Sequence, residues 1–486
     1  MAQDIKNKTV TGISWSAIDS VASQGVTFIV GIVLARLLSP EEFGTIGIAM
    51  IFVTLFNKIV DCGFSNALIR KLDANDDDYN TTFIFNLVLS IVLYLVCYFI
   101  APYISSFFNN DFLVGVVRWI SLVLIINAFA IIQRTKLVKK VDFKTQAKIS
   151  IGASVVSGAV GIIMAFYGLG VWSLVGQQLT RQLCNTLFLW ISNKWRPKFV
   201  FSVNSFKNLF SYGGKLMLSG IVDTICNEVS TILIGKIYSP ATLGQYSRAK
   251  QFSGIFSTNV STVMERVTYP VLSEFQNNDD LLISYYRKIV RSLMLITGVG
   301  TIFIASCAKP IILVLLGPKW TEAILYLQLI AFVEITIPIK NVNLNLLQVY
   351  GRSDYILILS IIKRVIELGA VCLGFISLPF MIGGFAVAGV MGLLMNSYCT
   401  MKVSGYKVSS QIKDLLPSCL VAAVVGMLML PFSIIIKNIY IALIVQLLVG
   451  SITFFLISEK LKLEEYVFLK QLLIEYFSKL IKHNSK

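Results

Sequence analysis

The chain has 486 residues, 56% of them hydrophobic and only 14% charged, with a mean hydropathy of +0.76. These values fall outside the range of soluble globular chains and identify an integral membrane protein with no sign of a soluble domain. The formal net charge of +16 does not point to nucleic acid, because the basic residues are spread over the connections between apolar runs instead of being gathered with aromatics on one surface; topology and contact with anionic headgroups account for them.

The apolar runs are about the length that a helix needs to cross hydrocarbon. The first follows the polar stretch MAQDIKNKTV and has no short apolar core ending in a small-residue cleavage site, so it is expected to be a retained span. In chain order, spans are expected at about 12–35, 44–60, 82–101, 113–133, 149–167, 169–191, 208–236, 244–264, 289–316, 322–348, 355–376, 380–401, 414–436 and 438–457, fourteen in all. Lys6 and Lys8, Arg70 and Lys71, the segment RTKLVKKVDFK (134–144), Lys194, Arg196 and Lys198, Arg287, Lys288 and Arg291, and Lys402, Lys407 and Lys413 fall on every second connection, as do the lysines of the tail. The other connections hold only Arg36, Lys236, Lys309, Lys319 and Lys437. By the positive-inside rule both termini are expected in the cytoplasm.

A nine-residue pattern occurs twice. RLLSPEEFG (36–44) closes the first span and opens the second, and KIYSPATLG (236–244) does the same for the seventh and eighth. Proline disfavours helix in the residue before it and cannot donate to the turn behind it, so Pro40 and Pro240 are expected to stop one helix at the outer surface and Gly44 and Gly244 to open the next. Six spans separate the copies. An even number preserves orientation, so the copies are expected to be related by a pseudo-twofold along the membrane normal. The expected fold is all-α: a six-helix lobe over 1–207, a second over 208–413, two extra helices over 414–457, and a tail over 458–486. The tail repeats apolar residues at helical spacing with lysines between, which suits a helix lying on the inner headgroups, or one docking a partner protein.

The eight cysteines are scattered singly, without a C-x-x-C pair, and the one histidine, His483, is in the tail. No disulfide framework, metal or cofactor is expected.

Two helices have a polar face. In span 1, Ser16, Asp19, Ser20, Ser23 and Thr27 fall within roughly 100° of the circumference, and in span 7 Lys215, Ser219, Asp223, Asn227 and Ser230 fall within roughly 120°. The offset that aligns the Ser-Pro turns also superimposes these stripes, pairing Asp19 with Ser219, Ser23 with Asp223 and Thr27 with Asn227. Both are expected to face a central water-filled cleft; the competing reading has single hydroxyls satisfying backbone carbonyls or helix contacts. Span 8, YSRAKQFSGIFSTNVSTVMERV (246–267), is too polar to be recognised by hydropathy and is assigned through the repeat. Arg248, Lys250, Gln251 and Thr258 are candidate cavity liners, with snorkelling to the headgroups as the rival reading for the two cations. Arg181 in span 6 joins the cavity candidates. Asp19, Asp223 and Glu228 are candidates for coupling an ion, and Glu334, Lys340, Lys363, Arg364 and Glu367 are further ionisable residues within spans. Lys363 and Glu367, four apart, are expected to pair.

The Ser39–Gly44 turn after Leu34-Ala35-Arg36, the six-plus-six-plus-two helix count and the length resemble the polysaccharide-transporter branch of the multidrug/oligosaccharidyl-lipid/polysaccharide superfamily, the O-antigen-type flippases. The resemblance implies turning undecaprenyl-diphosphate-linked oligosaccharides from the inner to the outer leaflet of a bacterial cytoplasmic membrane, with membrane lipids and a polysaccharide polymerase as neighbours and no enzymatic step. Cations in the cleft suit a diphosphate that loses its hydration there. An ion-coupled small-molecule exporter of the same fold and a membrane polymerase or ligase are the alternatives; the latter would be expected to present a long external segment with His, Arg or acidic groups. Reporter fusions should place residue 140 and the tail in the cytoplasm and residues 40, 105, 240 and 318 outside; a cytoplasmic signal at 240 would remove span 8 from the membrane.

Overall fold

A computed structural model describes residues 22–467, 470 and 471. Asp19, with Ser16 and Ser20, and most of the tail helix expected over 458–486 lie outside the described residues. Among the described residues all regular structure is helical. The chain forms two compact units, Met1–Gly244 and Gln245–Lys486. In order, the first contains α1 (Ala22–Leu37), α2 (Pro40–Asp61), α3 (Phe64–Arg70), α4 (Asp76–Phe108), α5 (Phe112–Ile120), α6 (Leu122–Lys139), α7 (Phe143–Phe166), α8 (Val171–Ser192) and α9 (Val203–Ile237). Helix α10 (Pro240–Glu274) begins at its end. The second contains α11 (Asp279–Ser306), α12 (Ala308–Leu315), α13 (Glu322–Glu334), α14 (Ile337–Val349), α15 (Ser353–Cys372), α16 (Leu378–Ser404), α17 (Val408–Met429), α18 (Phe432–Ile435) and α19 (Ile439–Lys460).

Among the described residues, ten segments are long and apolar enough to cross a membrane: α2 with α3, α4, α5 with α6, α7, α9, α11, α13 with α14, α16, α17 with α18, and α19. The remaining expected spans coincide with α1, α8, α10 and α15, which are helical too. Helix α1 is described only from Ala22, and Gln177, Gln178, Arg181 and Gln182 interrupt the apolar run of α8. Helix α15 carries Asp354, Lys363, Arg364 and Glu367. Helix α10 is the least apolar, as its sequence foretold.

The repeated turn has a local cause in both copies. Ser39 caps α2: its hydroxyl accepts the Glu42 amide hydrogen at 3.4 Å while the Glu42 carboxylate accepts from the Ser39 amide at 2.6 Å. This reciprocal capping box, with Pro40 at the first helical position, starts the helix sharply. In the second copy the Ser239 hydroxyl accepts from the Thr242 amide at 3.1 Å. The glycines then meet. A Cβ on Gly44 would stand 1.6 Å from the Pro240 carbonyl oxygen, and one on Gly244 would stand 1.9 Å from the Pro40 carbonyl oxygen. The first turns of α2 and α10 thus cross backbone to backbone, each glycine under the other copy's proline.

A second close approach joins α9 to the break between α2 and α3. The chain breaks between α2 and α3 at Cys62 and Gly63, both left-handed, and a Cβ on Gly63 would lie 2.4 Å from the Gly213 carbonyl oxygen. Phe64, Leu68, Tyr79, Phe83, Ile132 and Leu209 bury themselves around this seat. Because α9 packs on α2, α3 and α4, the compact units divide after Gly244, whereas the lobes drawn at 207/208 follow the repeat instead of the contacts.

In the second unit, α10, α11 and α14 share a core of Leu272, Leu282, Tyr286, Leu293, Val342 and Leu346. Beside it, Asp414 of α17 accepts from Arg287 Nε at 2.7 Å and Nη2 at 3.0 Å, and also from Arg291 and the Tyr406 hydroxyl. Arg291 reaches on to Glu464 at 2.8 Å. One carboxylate thereby fastens α17 to α11.

Two stability tests follow from these contacts. Gly44→Ala should lower the melting temperature and membrane accumulation of the purified chain, at or above the roughly 1–3 kcal/mol usual for overpacking. Gly47→Ala, whose Cβ would meet only Leu243 at 3.8 Å, should leave both unchanged. Asp414→Leu strands two guanidinium groups. Since Arg287 is 42% exposed, the loss should be about 1–3 kcal/mol rather than the full cost of a buried orphan charge, read as a melting shift in detergent that Asp414→Asn reproduces only in part.

Candidate functional site

The polar stripe of α9 runs along one side of the helix in steps of four. Lys215, Asp223 and Asn227 are exposed, Ser230 is buried, and Glu228 is half-buried about 100° away from Asn227. On α1, the Thr27 hydroxyl donates to the Ser23 carbonyl at 2.8 Å, so this side chain is satisfied by its own helix. Arg248 donates to the Gln251 side-chain oxygen one turn further along α10, and Lys250 is exposed between them. Arg181 is half-buried on α8. Of the sequence-derived candidates, the structure therefore brings Ser23 to Thr27 and Arg248 to Gln251, and aligns Lys215, Asp223 and Asn227 on one helix face.

Other polar groups within the apolar helices escaped the sequence reading. In the first unit an amide ladder crosses three helices: Gln182 of α8 donates to Asn127 of α6 at 2.8 Å, and Asn127 donates to Asn57 of α2 at 2.9 Å. One turn beyond Asn57, Asp61 accepts from Ser65, and Thr135 of α6 reaches Ser65 at 3.3 Å. Arg134 lies within electrostatic reach of Asp61. Interhelical amides of this kind tie helices together where lipid gives no hydrophobic drive to associate. The signal in the sequence is Asn57 and Asp61, four apart in an otherwise apolar run; on α8 it is Gln182, beside the candidate Arg181, that joins the ladder.

In the second unit, span 10 is broken. Helix α13 ends at Glu334 and α14 begins at Ile337 with Pro338 in its first turn. Glu334, at the break, accepts from the Ser257 hydroxyl of α10. Lys340 lies one turn past the break, and its carbonyl accepts from Asn396 of α16 at 3.2 Å. The expected Lys363–Glu367 pair is not formed. Glu367 pairs with Arg364 at 3.1 Å, and the Lys363 stem leans instead on Gly392 of α16. Four-residue spacing permits a contact, but a neighbouring guanidinium and an open glycine surface redirected both side chains. Among the described residues, no group of three or more His, Cys, Asp or Glu could hold a metal ion.

Residues 33–325 match the family model described as polysaccharide biosynthesis protein. Among curated proteins, the chain is 24% identical over 470 residues to the succinoglycan biosynthesis transport protein ExoT of Rhizobium meliloti, covering 93% of both chains. It is 24% identical over 352 residues to the teichuronic acid biosynthesis protein TuaB of Bacillus subtilis, covering 72% of this chain and 73% of that one. With the lipopolysaccharide biosynthesis protein WzxC of Escherichia coli it shares 21% identity over 394 residues, covering 81% and 78%. Among solved structures, the lipid II flippase MurJ in an inward closed conformation aligns with a TM-score of 0.73 at 15% identity, covering 94% of this chain and 99% of that one. An inward-facing multidrug transporter of the MATE family aligns at 0.61 and 16% identity, over 81% and 100%. At these identities the structural likeness establishes the fold. Since the family model spans more than half of its length, the chain belongs to the polysaccharide biosynthesis protein family and is an all-helical, multi-pass membrane protein.

Proposed function

We propose that this chain translocates undecaprenyl-diphosphate-linked oligosaccharide repeat units from the inner to the outer leaflet of the bacterial cytoplasmic membrane, feeding surface polysaccharide synthesis. The observation that carries the reading is the end-to-end alignment with a succinoglycan biosynthesis transport protein, 93% of each chain, within a polysaccharide biosynthesis family. The likeness in fold to a lipid II flippase is consistent with it. The work is transport without a chemical step. Fourteen crossings in six-plus-six-plus-two order, with both termini cytoplasmic, give the two lobes over 1–207 and 208–413 that rock about a hydrophilic cavity. The reciprocal crossing at Gly44 and Gly244 supports the underlying repeat. Polysaccharide polymerase machinery receives the product.

In this account Lys215, Arg248, Lys250, Gln251 and Arg181 face the diphosphate sugar, with Asp19, Ser23, Thr27 and Asn227 completing the wet surface. Asp223, with Asp19 and Glu228 as further candidates, couples an ion to lobe movement. A carboxylate within the membrane must be hydrated, paired or protonated, so it responds to ion occupancy.

A strain lacking the chain should stall lipid-linked repeat units on the inner leaflet and lose surface polysaccharide, and the wild-type chain should restore it. Asp223→Asn, and separately Arg248→Gln with Lys250→Gln, should restore at least tenfold less polysaccharide per molecule of protein in the membrane. A normal ratio for both variants would exclude this site. Normal export in the deletion strain would exclude the function.

A further inference from the structure

The second unit contains a groove that the polar-cavity account does not use. It lies between α13, α15 and α16, has a volume of about 720 Å³, and is lined wholly by apolar residues, among them Leu329, Ile366, Gly383, Val387 and Met391. A Cβ on Gly369 or Gly383 would meet nothing within 4 Å, so these glycines leave the groove open instead of serving a close helix contact. Phe380 and Val387 are 62% and 60% exposed, as befits a lipid-facing wall.

Two lysines stand within a turn of residues that line the groove. Ile366 is one turn from Lys363 on α15, and Met391 is the neighbour of Gly392 on α16. A Cβ on Gly392 would stand 3.2 Å from Lys363 Cδ and 3.6 Å from Lys340 Cδ, so both lysine stems pass across this one glycine. The two ammonium groups lie within electrostatic reach of each other and of Glu367, with Glu334 also near Lys340. Glu367 is engaged by Arg364, and Glu334 accepts from Ser257. Neither lysine makes an ion pair or side-chain hydrogen bond among the described residues. Two adjacent cations against two occupied carboxylates form a seat for an anion.

Depth identifies the anion's carrier. Lys363 stands about 15 Å along α15 from Ser353, and Lys340 about 14 Å along α14 from Val349, at 1.5 Å per residue. Both distances are measured from the same turn, and with that turn at one membrane surface, as the proposed topology has it, the lysines come near the middle of a hydrocarbon layer about 30 Å thick. The phosphate of a resident glycerolipid stays at the interface and does not reach them. A phosphate arrives at mid-depth only on a lipid that is being carried through. We infer that this unit holds a transit seat for a polyprenyl diphosphate, its isoprenoid tail in the groove between α13, α15 and α16 and its diphosphate on Lys340 and Lys363. The inference rests on the translocation reading above for the class of lipid, and it assigns the tail and phosphate to residues outside the α9 and α10 stripes.

The test uses the full-length chain in nanodiscs with farnesyl diphosphate, farnesol and inorganic pyrophosphate as probes. Lys340→Gln combined with Lys363→Gln should weaken farnesyl diphosphate binding at least tenfold and leave farnesol unchanged, while Lys340→Arg with Lys363→Arg retains binding. Gly383→Leu, which fills the groove without a clash at Cβ, should weaken farnesyl diphosphate and farnesol at least fivefold and leave pyrophosphate unchanged. On the unaltered chain, a benzophenone-tagged farnesyl diphosphate should label α13, α15 or α16. Wild-type binding by the folded Gln and Leu variants overturns the seat, as does labelling confined to other helices. Competition by phosphatidylglycerol at equal affinity also overturns it, by marking an ordinary lipid contact. If the Gln pair restores wild-type polysaccharide per molecule in the deletion strain, the seat fails while translocation stands; if that strain exports normally without the chain, translocation fails and the seat with it.

Discussion

The crossing of α2 over α10 at Gly44 and Gly244 fixes how both helices begin. Each helix must begin sharply, because a Ser-Pro turn is all that separates it from the preceding one, and each must begin within van der Waals contact of the other copy's proline carbonyl. Serine caps, proline fixes the first helical residue, and glycine removes the Cβ that would collide. A mutual contact of this form uses the same three residues twice, which explains why a chain whose copies otherwise differ keeps the pattern. The acidic partner of the cap was free to change: Glu42 closes the box in the first copy, and Thr242 stands in its place in the second.

From that crossing the placement of polar groups follows a common physical rule. In hydrocarbon an unsatisfied polar group is costly, so each of these side chains either bonds across a helix pair or lies where water or substrate can satisfy it. The Asn57–Asn127–Gln182 ladder and the Asp414 clamp are of the first kind, holding α2, α6 and α8 together and α17 to α11. The exposed Lys215 of α9 and the ammonium groups of Lys340 and Lys363, which make no ion pair or side-chain hydrogen bond among the described residues, are of the second kind. Groups of the first kind serve assembly, and those of the second are the ones proposed to meet a ligand.

Much of the helical order was legible in advance, because span length and loop charge are set by bilayer thickness and insertion, both of which act locally on the chain. Helix α10 was legible only through the repeat, its own hydropathy being too low. The Ser-Pro turn is legible as a motif, but the reason for Gly44 lies in its contact with Pro240, 196 positions away, which the sequence does not display. Contacts joining residues 55 and 70 positions apart, such as those of Asn127 with Gln182 and Asn57, leave no periodic trace in a single sequence. The Lys363–Glu367 assignment failed because helical spacing defines which residues can meet, whereas competition from Arg364 and the open surface at Gly392 decided which did. The groove was likewise invisible, since its apolar lining reads as ordinary lipid-facing helix.

Whether the chain moves a polyprenyl-diphosphate-linked sugar can be read by reconstitution. The purified chain is placed in liposomes carrying a fluorescent undecaprenyl-diphosphate oligosaccharide in both leaflets, and the fraction reached by a membrane-impermeant quencher is followed over time. With the chain present, quenching should pass beyond the outer-leaflet half towards completion, faster than in protein-free liposomes and with no matching acceleration for a fluorescent phosphatidylglycerol. Quenching that stops at half under every imposed ion gradient, or equal acceleration for both lipids, would rule out selective translocation of the lipid-linked sugar.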